Sequence, residues 1–490
     1  MSKWSSAVAI ARRSHRALAI LRVTKRHHSA SVFATPQPFP HVRTSQPDAS
    51  PLLTNPSPKN VDPHALLKEE MSNIRTSIVG LLGSSHSTLS QIASYYFLHP
   101  SKQLRPLLVL LFSRATNGLG SHYPLKAWSA EHSRLSAEQL DAPLSRPDVL
   151  NDFNPSMPDH TASFHTPFDL RPPPRRTFPS PPPSLSDESC LPISQLTHSL
   201  LPTQLRLAQI VEMIHVASLL HDDVIDKSGL RRGVPSAPAA FGNKITVLGG
   251  DFLLGRASAA LSRIGEEEVV ELISSVVANL AEGEILQMRA TELSSTSDSA
   301  FSAPLSAEID MSSLYAPPSD AEAPCPDRWS TYIKKTYLKT ASLMAKGARA
   351  AVVLGGCREG EVWKEVAYAY GRNLGIAFQL VDDILDFSSS TTLGKPGSGA
   401  DLRLGLATGP VLYAAEEYPE LEPLIARQFK EDGDVERALS LIHTSSGVSR
   451  TRDLARAHAE KAREVLMVLP ASEARDALEA LTDGVVRRGW

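Results

Sequence analysis

The amino-acid sequence predicts an all-α fold, in which one large helical domain is interrupted by two low-complexity insertions. Apolar residues recur every three or four positions from Leu66 to Leu82 and from Leu207 to Leu220, the periodicity of a helix with one buried face. No stretch shows the sustained apolar–polar alternation between hairpin turns that strands would show. The 37 prolines are concentrated in segments that cannot form a core. These observations favour a helical bundle.

The amino terminus has the composition of a targeting segment. Residues 1–33 contain seven Lys or Arg and no acidic residue, and Asp48 is the first acid in the chain. Basic and serine residues interleaved with apolar ones predict a mitochondrial transit peptide, assigned with a linker to residues 1–61; a disordered basic tail is the alternative. The expected location is therefore the mitochondrial matrix. No segment reaches eighteen uncharged apolar residues, so we expect contact with the inner membrane to be peripheral.

Residues 62–490 are predicted to form one domain with two insertions. Residues 121–195 and 294–327 are rich in Pro, Ser and Ala or Asp and show few apolar periods. Such segments cannot bury enough apolar surface to offset the entropy lost on ordering, so both are expected to be mostly disordered. The helices on both sides of the first insertion carry parts of one site, which argues against a domain boundary there. About 310–330 residues remain for the core, a size that suits one domain.

Composition excludes several classes of function. The formal net charge of −3 gives no indication of a nucleic-acid partner. Cys190, Cys325 and Cys357 have no paired spacing, so neither a disulfide framework nor a zinc site is expected.

Further helices follow from apolar periodicity at residues 252–264, 269–291, 329–354, 362–387, 402–416 and 455–469. Another begins after Ser101, where Pro106 lies near the first turn and its missing N–H is harmless. Gly371 and Gly375 lie one turn apart inside a predicted helix, where each costs about 1 kcal/mol relative to Ala. That cost is tolerable if the smooth face lets a neighbouring helix or a bound chain approach closely.

Three aspartates close the apolar helix that ends near Leu220. Asp222 and Asp226 are four residues apart, so on a helix their Cβ atoms lie about 5–6 Å apart on one face, and Asp223 lies beside them. Hard divalent cations such as Mg²⁺ take carboxylate oxygens and bridge to substrate phosphates. One such motif occurs by chance on many solvated helix ends.

A second apolar stretch, residues 371–387, ends in the same pattern. Asp382, Asp383 and Asp386 repeat the spacing of the first motif, 160 residues after Asp222. Dense acidic clusters repel one another unless a cation lies between them. The two motifs together therefore predict a shared magnesium site.

Basic residues accompany the aspartates. Arg231 and Arg232 follow the first motif and offer planar donors that match phosphate oxygens. Lys102 and Arg105 lie three residues apart at the start of a long apolar helix, where two cations beside a helix N-terminus predict a diphosphate site. A solvated basic helix start is the alternative for the second pair.

At these residues the sequence resembles the trans-polyprenyl diphosphate synthases. The matching segments are the two aspartate motifs, Arg231-Arg232-Gly233, Gly249 to Arg256, Lys339-Thr340, Gln379 and Gly394-Lys395-Pro396. The resemblance covers about residue 62 to the carboxyl terminus without the insertions, and it is greatest to the mitochondrial long-chain members that make the side chain of ubiquinone. It implies an isoprenoid synthase-type helical bundle around a central active-site cavity, with Mg²⁺ as cofactor at three ions per site.

The resemblance also implies a reaction and a role for each site residue. Isopentenyl diphosphate condenses head to tail onto an allylic diphosphate, such as farnesyl or geranylgeranyl diphosphate. Metal binding is implied for Asp222, Asp223, Asp226, Asp382, Asp383 and Asp386. Catalytic roles beside the allylic diphosphate are implied for Lys339, Thr340, Gln379 and Lys395, with Arg231 holding the same diphosphate. Binding of isopentenyl diphosphate is implied for Lys102, Arg105, His215 and Arg232. Gly283, Glu284 and Gln287 match a family pattern without an assigned role.

Two positions depart from the family pattern. Ser101 stands where a glycine is usual, and Leu406 stands where many members carry a lysine, so one cation is missing. Product length depends on Ala217 and Ser218, one turn below Asp222, where short-product members carry bulky aromatic residues. Both are small here, so we expect an open tunnel and a long product.

Alternatives remain open at this point. A geranylgeranyl diphosphate synthase is a second enzyme reading. A non-catalytic subunit of a heteromeric synthase is a third, although such subunits usually lose aspartates or the arginine pair. A terpene cyclase would share the helical fold and the first motif but would not need Lys102 and Arg105. The expected assembly is a homodimer, with a heteromer as the alternative.

Overall fold

The structure is a computed structural model, and it describes residues 61–82, 86–99, 102–133, 135–141, 144, 179–181, 199–231, 233–292, 328–387 and 399–488. Residues 1–60 of the predicted presequence and linker (1–61), the second predicted insertion, Arg232 and Lys395 lie outside these residues. Among the helices that the structure describes, none is long and apolar enough to cross a membrane.

Helices build the described part of the chain, which confirms the predicted all-α fold. Those before the first insertion and within its start are α1 (Pro63–Leu66), α2 (Lys68–Leu81), α3 (Ser87–Tyr95), a 3₁₀ turn (Tyr96–Leu98), α4 (Leu104–Thr116), α5 (Tyr123–His132) and α6 (Ala137–Asp141). Those between the insertions are α7 (Pro202–Ile225), α8 (Ala237–Phe241), α9 (Asn243–Ile264) and α10 (Glu267–Glu292). A two-residue antiparallel hairpin, β1 (Leu230–Arg231) with β2 (Val234–Pro235), follows α7.

The carboxyl-terminal part continues the bundle. Its elements are α11 (Arg328–Thr336), a π turn (Tyr337–Ala341), α12 (Ser342–Leu354), α13 (Trp363–Leu385), α14 (Ala400–Arg403), α15 (Gly409–Glu417), α16 (Leu421–Ala426), α17 (Asp434–Thr444), α18 (Gly447–Leu466) and α19 (Glu473–Val486). The predicted helix 329–354 is thus divided by a π turn, a rare element that often marks a functional site.

The long helices α7 and α13 lie at the centre of the core. Helix α7 packs against α4, α9 and α12, while α13 packs against α12 and α18. Leu207, Ile210, Val211 and Leu220 on α7 have no exposed surface, and they share one apolar cluster with residues of α13 such as Tyr370. Since both aspartate motifs end these two helices, the core decides where the motifs lie.

Glycines allow α13 to approach its neighbours closely. A Cβ atom on Gly371 would lie 2.6 Å from the carbonyl oxygen of Met344, and a Cβ on Gly375 would lie 2.6 Å from Cα of Ala341. Real Cβ atoms do not come this close to backbone, so a side chain at either position would force the helices apart.

The prediction of one continuous helix over residues 402–416 is wrong, because the helix is interrupted in the middle. Helix α14 ends at Arg403 and α15 begins at Gly409. Gly405 has a φ of 80°, a left-handed conformation that ends a helix, and Pro410 lies in the first turn of α15, where it cannot donate a hydrogen bond. The apolar periodicity continues across the break and conceals it.

The first predicted insertion starts too early, because residues 123–132 and 137–141 are helical. Tyr123 is 1% exposed, and Lys126 Nζ donates to Glu266 at 2.5 Å. Arg206 on α7 donates to the carbonyl oxygen of Leu140 at 2.6 Å. Contacts with distant residues therefore order a segment whose own composition favours irregular structure. Residues 145–178 lie outside the described part of the chain.

Candidate active site

The first aspartate motif lies at the end of α7, where the helix stops at Ile225. Asp222 is half-buried, and burial raises its pKa to about 6. The carboxylates of Glu284 and Asp226 add to this rise, while the ammonium of Lys339 opposes it. Burial also raises the pKa of Asp226. These carboxylates are held close to one another with too little positive charge to compensate them.

Asp223 points in another direction from its neighbours. It is 1% exposed and forms a two-pronged ion pair with Arg231, whose Nε lies 2.9 Å from Oδ1 and 2.8 Å from Oδ2, while Nη2 lies 2.6 Å from Oδ1. The hydroxyl of Tyr96 also donates to this carboxylate and accepts from the backbone N–H of Ala237 at 2.8 Å. A metal role for Asp223 stays a prediction, since both of its oxygens are engaged.

Arg231 lies on β1 of the hairpin. Its guanidinium carbon lies 5.8 Å from the centre of the Tyr96 ring, and its contact with Asp223 fixes the rest of the group. Gly233, with a φ of 79°, makes the tight turn between the strands. The turn, the ring and the carboxylate together set where this cation lies.

The second motif, at the end of α13, also combines a half-buried aspartate with buried ones. Asp382 is half-buried, and its Oδ1 lies 3.9 Å from Nη2 of Arg488. Asp383 is 3% exposed and accepts from Tyr332 at 2.5 Å and from Gln379 at 2.9 Å, and burial raises its pKa. Asp386 accepts from the backbone N–H groups of residues 400 and 401, so it caps α14.

The π turn supplies two of the predicted catalytic residues. Lys339 forms an ion pair with Glu284 on α10, and its Nζ donates to Gln287 at 3.2 Å. The hydroxyl of Thr340 donates to Gln379 at 2.8 Å. Gly283 makes room for this arrangement, because a Cβ there would lie 2.6 Å from Cγ of Lys339. The segment 283–287, which had no predicted role, thus holds the lysine.

Charged side chains between the two aspartate motifs interact electrostatically with both of them. Burial lowers the pKa of Lys335, while Asp383 of the second motif opposes that shift and Glu284 does so to a lesser extent. Glu284 in turn raises the pKa of Asp222 in the first motif. These charges and the contacts of the π turn with α10, α11 and α13 place the ends of α7 and α13 close to α10, α11 and the π turn.

A cavity beside α7 contains residues of the second predicted diphosphate site. Arg105 Nη1 lies 3.0 Å from Nε2 of His215, and His215 lines the cavity with Arg231. Lys102 is exposed at the start of α4. Residues of this region that sequence reasoning missed are Tyr96, His99 and Glu212, which line the same cavity.

The donor set fits a divalent cation only in part. Among the described residues, no group of three or more His, Cys, Asp or Glu side chains has the geometry of a metal site. Asp223, Asp383 and Asp386 are engaged elsewhere, whereas Asp222 and Asp226 have raised pKa values and so are the carboxylates that a cation would stabilise. The number of ions stays a prediction.

Known proteins with similar sequences and structures point to one family. Residues 189–442 match the family model described as polyprenyl synthetase. The chain is 42% identical to a probable mitochondrial hexaprenyl pyrophosphate synthase of Yarrowia lipolytica, over 87% of this chain and 85% of that protein. It is 41% identical to the mitochondrial hexaprenyl pyrophosphate synthase of Saccharomyces cerevisiae, over 87% of this chain and 90% of that protein. A solved polyprenyl synthase from Caulobacter crescentus, complexed with calcium and isoprenyl diphosphate, matches with a TM-score of 0.59 and 26% identity, over 89% of this chain and 99% of that chain.

Proposed function

The chain belongs to the polyprenyl synthetase family and is a prenyltransferase, and from that premise we propose that it makes a long-chain all-trans polyprenyl diphosphate. Isopentenyl diphosphate is added successively to farnesyl or geranylgeranyl diphosphate, and the product supplies the side chain of ubiquinone. The observation that carries the proposal is the position of Lys339: Glu284 and Gln287 of α10 hold its ammonium, which acts on the carboxylates of Asp222 and Asp226 at the end of α7.

Lys339 is proposed to hold the allylic diphosphate. Glu284 and Gln287 fix its ammonium on the side of the carboxylates of α7. A fixed positive charge there stabilises the negative charge that develops on the diphosphate as the allylic C–O bond breaks. Mg²⁺, held by Asp222, Asp226 and Asp382, would supply further charge neutralisation at the same leaving group.

Thr340 and Gln379 are proposed to stabilise the allylic cation. Gln379 accepts from Thr340 and donates to the buried Asp383, which also accepts from Tyr332. This chain of hydrogen bonds fixes the neutral oxygens beside the π turn. Neutral oxygens stabilise the positive charge of the allylic cation but do not bond to it covalently. A free carboxylate, in contrast, would form such a bond.

The second substrate is proposed to bind beside α7. The pair of Arg105 and His215 supports a diphosphate site, because both side chains donate to phosphate oxygens in suitable protonation states. Lys102, which is exposed three residues before Arg105, adds a positive charge on the same segment. Roles for Arg232 and Lys395 remain predictions from the resemblance.

The growing chain is proposed to extend along α7, away from the aspartates. Ser218 is half-buried one turn before Asp222, and Ala217 is fully buried. Small side chains at these positions leave room for a long product. Replacing Ser218 with Phe should therefore shorten the product without removing activity.

A homodimer is the proposed assembly, and the mitochondrial matrix is the proposed location. The exposed faces of α9 and α10, which contact each other, carry large apolar side chains: Val247, Leu248, Val277, Ile285 and Met288 are 36–54% exposed. Apolar faces of this kind support a two-fold contact between copies. The basic presequence and the mitochondrial relatives support the location.

Product analysis tests the proposal. The full chain is incubated with farnesyl diphosphate, labelled isopentenyl diphosphate and Mg²⁺, and the products are separated by length. We expect hexaprenyl or longer products, and none from Asp222→Asn. Geranylgeranyl diphosphate as the end product would overturn the long-chain assignment but not the chemistry. No product from the unaltered chain would favour the non-catalytic subunit, and adding a candidate partner synthase would test that role.

A further inference from the structure

His99 lies in the cavity beside α7, at the end of the 3₁₀ turn. The cavity is enclosed by this turn, α7 and the hairpin, and its polar lining residues are Tyr96, His99, Glu212, His215 and Arg231. His99 precedes Lys102 by three residues and Arg105 by six, so the chain that carries these two cations begins at the cavity.

The ring of His99 is held in place by its neighbours. It packs edge-on against Tyr95 with 5.0 Å between ring centres, and Tyr95 also packs edge-on against Phe241 at 5.2 Å. The hydroxyl of Tyr95 donates to the carbonyl oxygen of Pro235 on β2 at 3.0 Å. The imidazole is therefore positioned by an aromatic group that is anchored to the hairpin.

One nitrogen of this ring has no partner. Nε2 of His99 is buried and makes no hydrogen bond within the structure. Buried polar atoms in proteins are nearly always paired, and an exception at the wall of a cavity is typical of an atom that a ligand satisfies. In the tautomer that carries its proton on Nε2, this nitrogen is satisfied by a ligand that offers a hydrogen-bond acceptor.

The surrounding charges select the class of ligand. Arg231 lines the cavity, where it is already paired with Asp223, and Arg105 contacts His215 at the cavity wall. The guanidinium of Arg105 favours an acceptor that belongs to an anion. The carboxylate of Glu212 in the same lining repels anions. An anion therefore binds here only if it contacts several donors, and not one cation alone. A diphosphate has enough oxygens to contact several donors at once.

We propose that His99 donates from Nε2 to the diphosphate of isopentenyl diphosphate, beside Arg105 and His215. The inference rests on the proposed function and adds to it a substrate-binding residue from this chain's own sequence. Binding energy from such a contact is present equally in the ground state and the transition state. Its loss therefore raises KM for this substrate and leaves kcat nearly unchanged.

Steady-state kinetics of the full chain test the inference. In His99→Ala we expect KM for isopentenyl diphosphate to rise about tenfold or more, with kcat and the allylic KM within about twofold of the unaltered chain. His99→Leu keeps the apolar contact with Tyr95 and lacks the donor, so it should behave like His99→Ala. His99→Gln retains an N–H donor and should recover part of the loss. His443→Ala, an exposed histidine on α17, is the matched control and should change nothing.

The outcomes separate this inference from the proposed function. If the unaltered chain elongates farnesyl diphosphate while His99→Ala and His99→Leu keep its KM for isopentenyl diphosphate, the His99 inference is wrong and the proposed function stands. An equal rise of both KM values also overturns it, because the role would then be structural. If His99→Ala fails to fold, the comparison of His99→Leu with His99→Gln decides. An unaltered chain that does not elongate overturns both.

Discussion

Asp222 and Asp223 are neighbours in sequence that lie in opposite environments, so their replacement by Asn should change stability in opposite directions. Asp223 is 1% exposed and paired with Arg231, which retains 26% of its side-chain exposure. Removing one partner of a buried ion pair costs about 3–5 kcal/mol. Because Arg231 keeps some contact with water, we expect Asp223→Asn to lower the free energy of unfolding by about 3 kcal/mol, the lower end of that range.

The expected effect at Asp222 follows from its pKa. Burial raises this pKa from 3.8 to about 6. A raised carboxyl pKa means that the ionised form is disfavoured in the folded state. The contribution of Asp222 to stability is therefore greatest below pH 3.8 and is lost as the pH rises through about 6. At neutral pH the cost is about 3 kcal/mol at most, and partial exposure reduces it, so Asp222→Asn should raise stability by about 1–3 kcal/mol.

Thermal unfolding followed by circular dichroism measures both effects. In EDTA the midpoint should increase in the order Asp223→Asn, unaltered chain, Asp222→Asn. Added Mg²⁺ should raise the midpoint of the unaltered chain and of Asp223→Asn, but not that of Asp222→Asn. Asp432→Asn, on an exposed loop, is the control.

Two results would refute this reasoning. The first is an unfolding midpoint of Asp222→Asn in EDTA that lies as far below that of the unaltered chain as the midpoint of Asp223→Asn does. The other is loss of the Mg²⁺ effect in Asp223→Asn, which would make Asp223 a metal ligand in spite of its ion pair.

Three further outcomes are expected. Because burial raises the pKa of Asp222, the Mg²⁺ concentration for half-maximal rate should rise about tenfold for each pH unit below about 6, and a titration that shows no pH dependence would contradict this. Gly371→Ala places a Cβ 2.6 Å from backbone and should lower the free energy of unfolding in urea by about 1–3 kcal/mol, whereas Gly484→Ala, with nothing within 4 Å, should not lower it. Gly283→Ala displaces Lys339 and should lower kcat about 10- to 100-fold in product assays, again with Gly484→Ala as the control, and an unchanged kcat would show that Lys339 adapts.

The residue sequence is sufficient for the long central helices and for the location of the motifs along the chain. Apolar periodicity predicts α7 and α13, since a long buried helix needs apolar residues on most of its surface. The periodicity misses the break between α14 and α15, because Gly405 and Pro410 interrupt backbone hydrogen bonding without interrupting the apolar pattern. Local composition likewise misses α5, which is ordered by contacts with residues far away in sequence.

The site is determined by sequence and by tertiary structure in different respects. The types and spacing of the six aspartates are enough to predict acidic clusters at two helix ends and a phosphate substrate. Neighbouring residues on a helix point about 100° apart, so the spacing does not decide which aspartate faces the cleft. Packing decides it: Tyr96, 127 residues before Asp223, helps to hold that carboxylate inside the protein, and Tyr332 does the same for Asp383. Contacts between such distant residues exist only after the chain has folded. They divide six similar side chains into three that are half-buried and three that are buried: Asp222, Asp226 and Asp382 on the one hand, Asp223, Asp383 and Asp386 on the other.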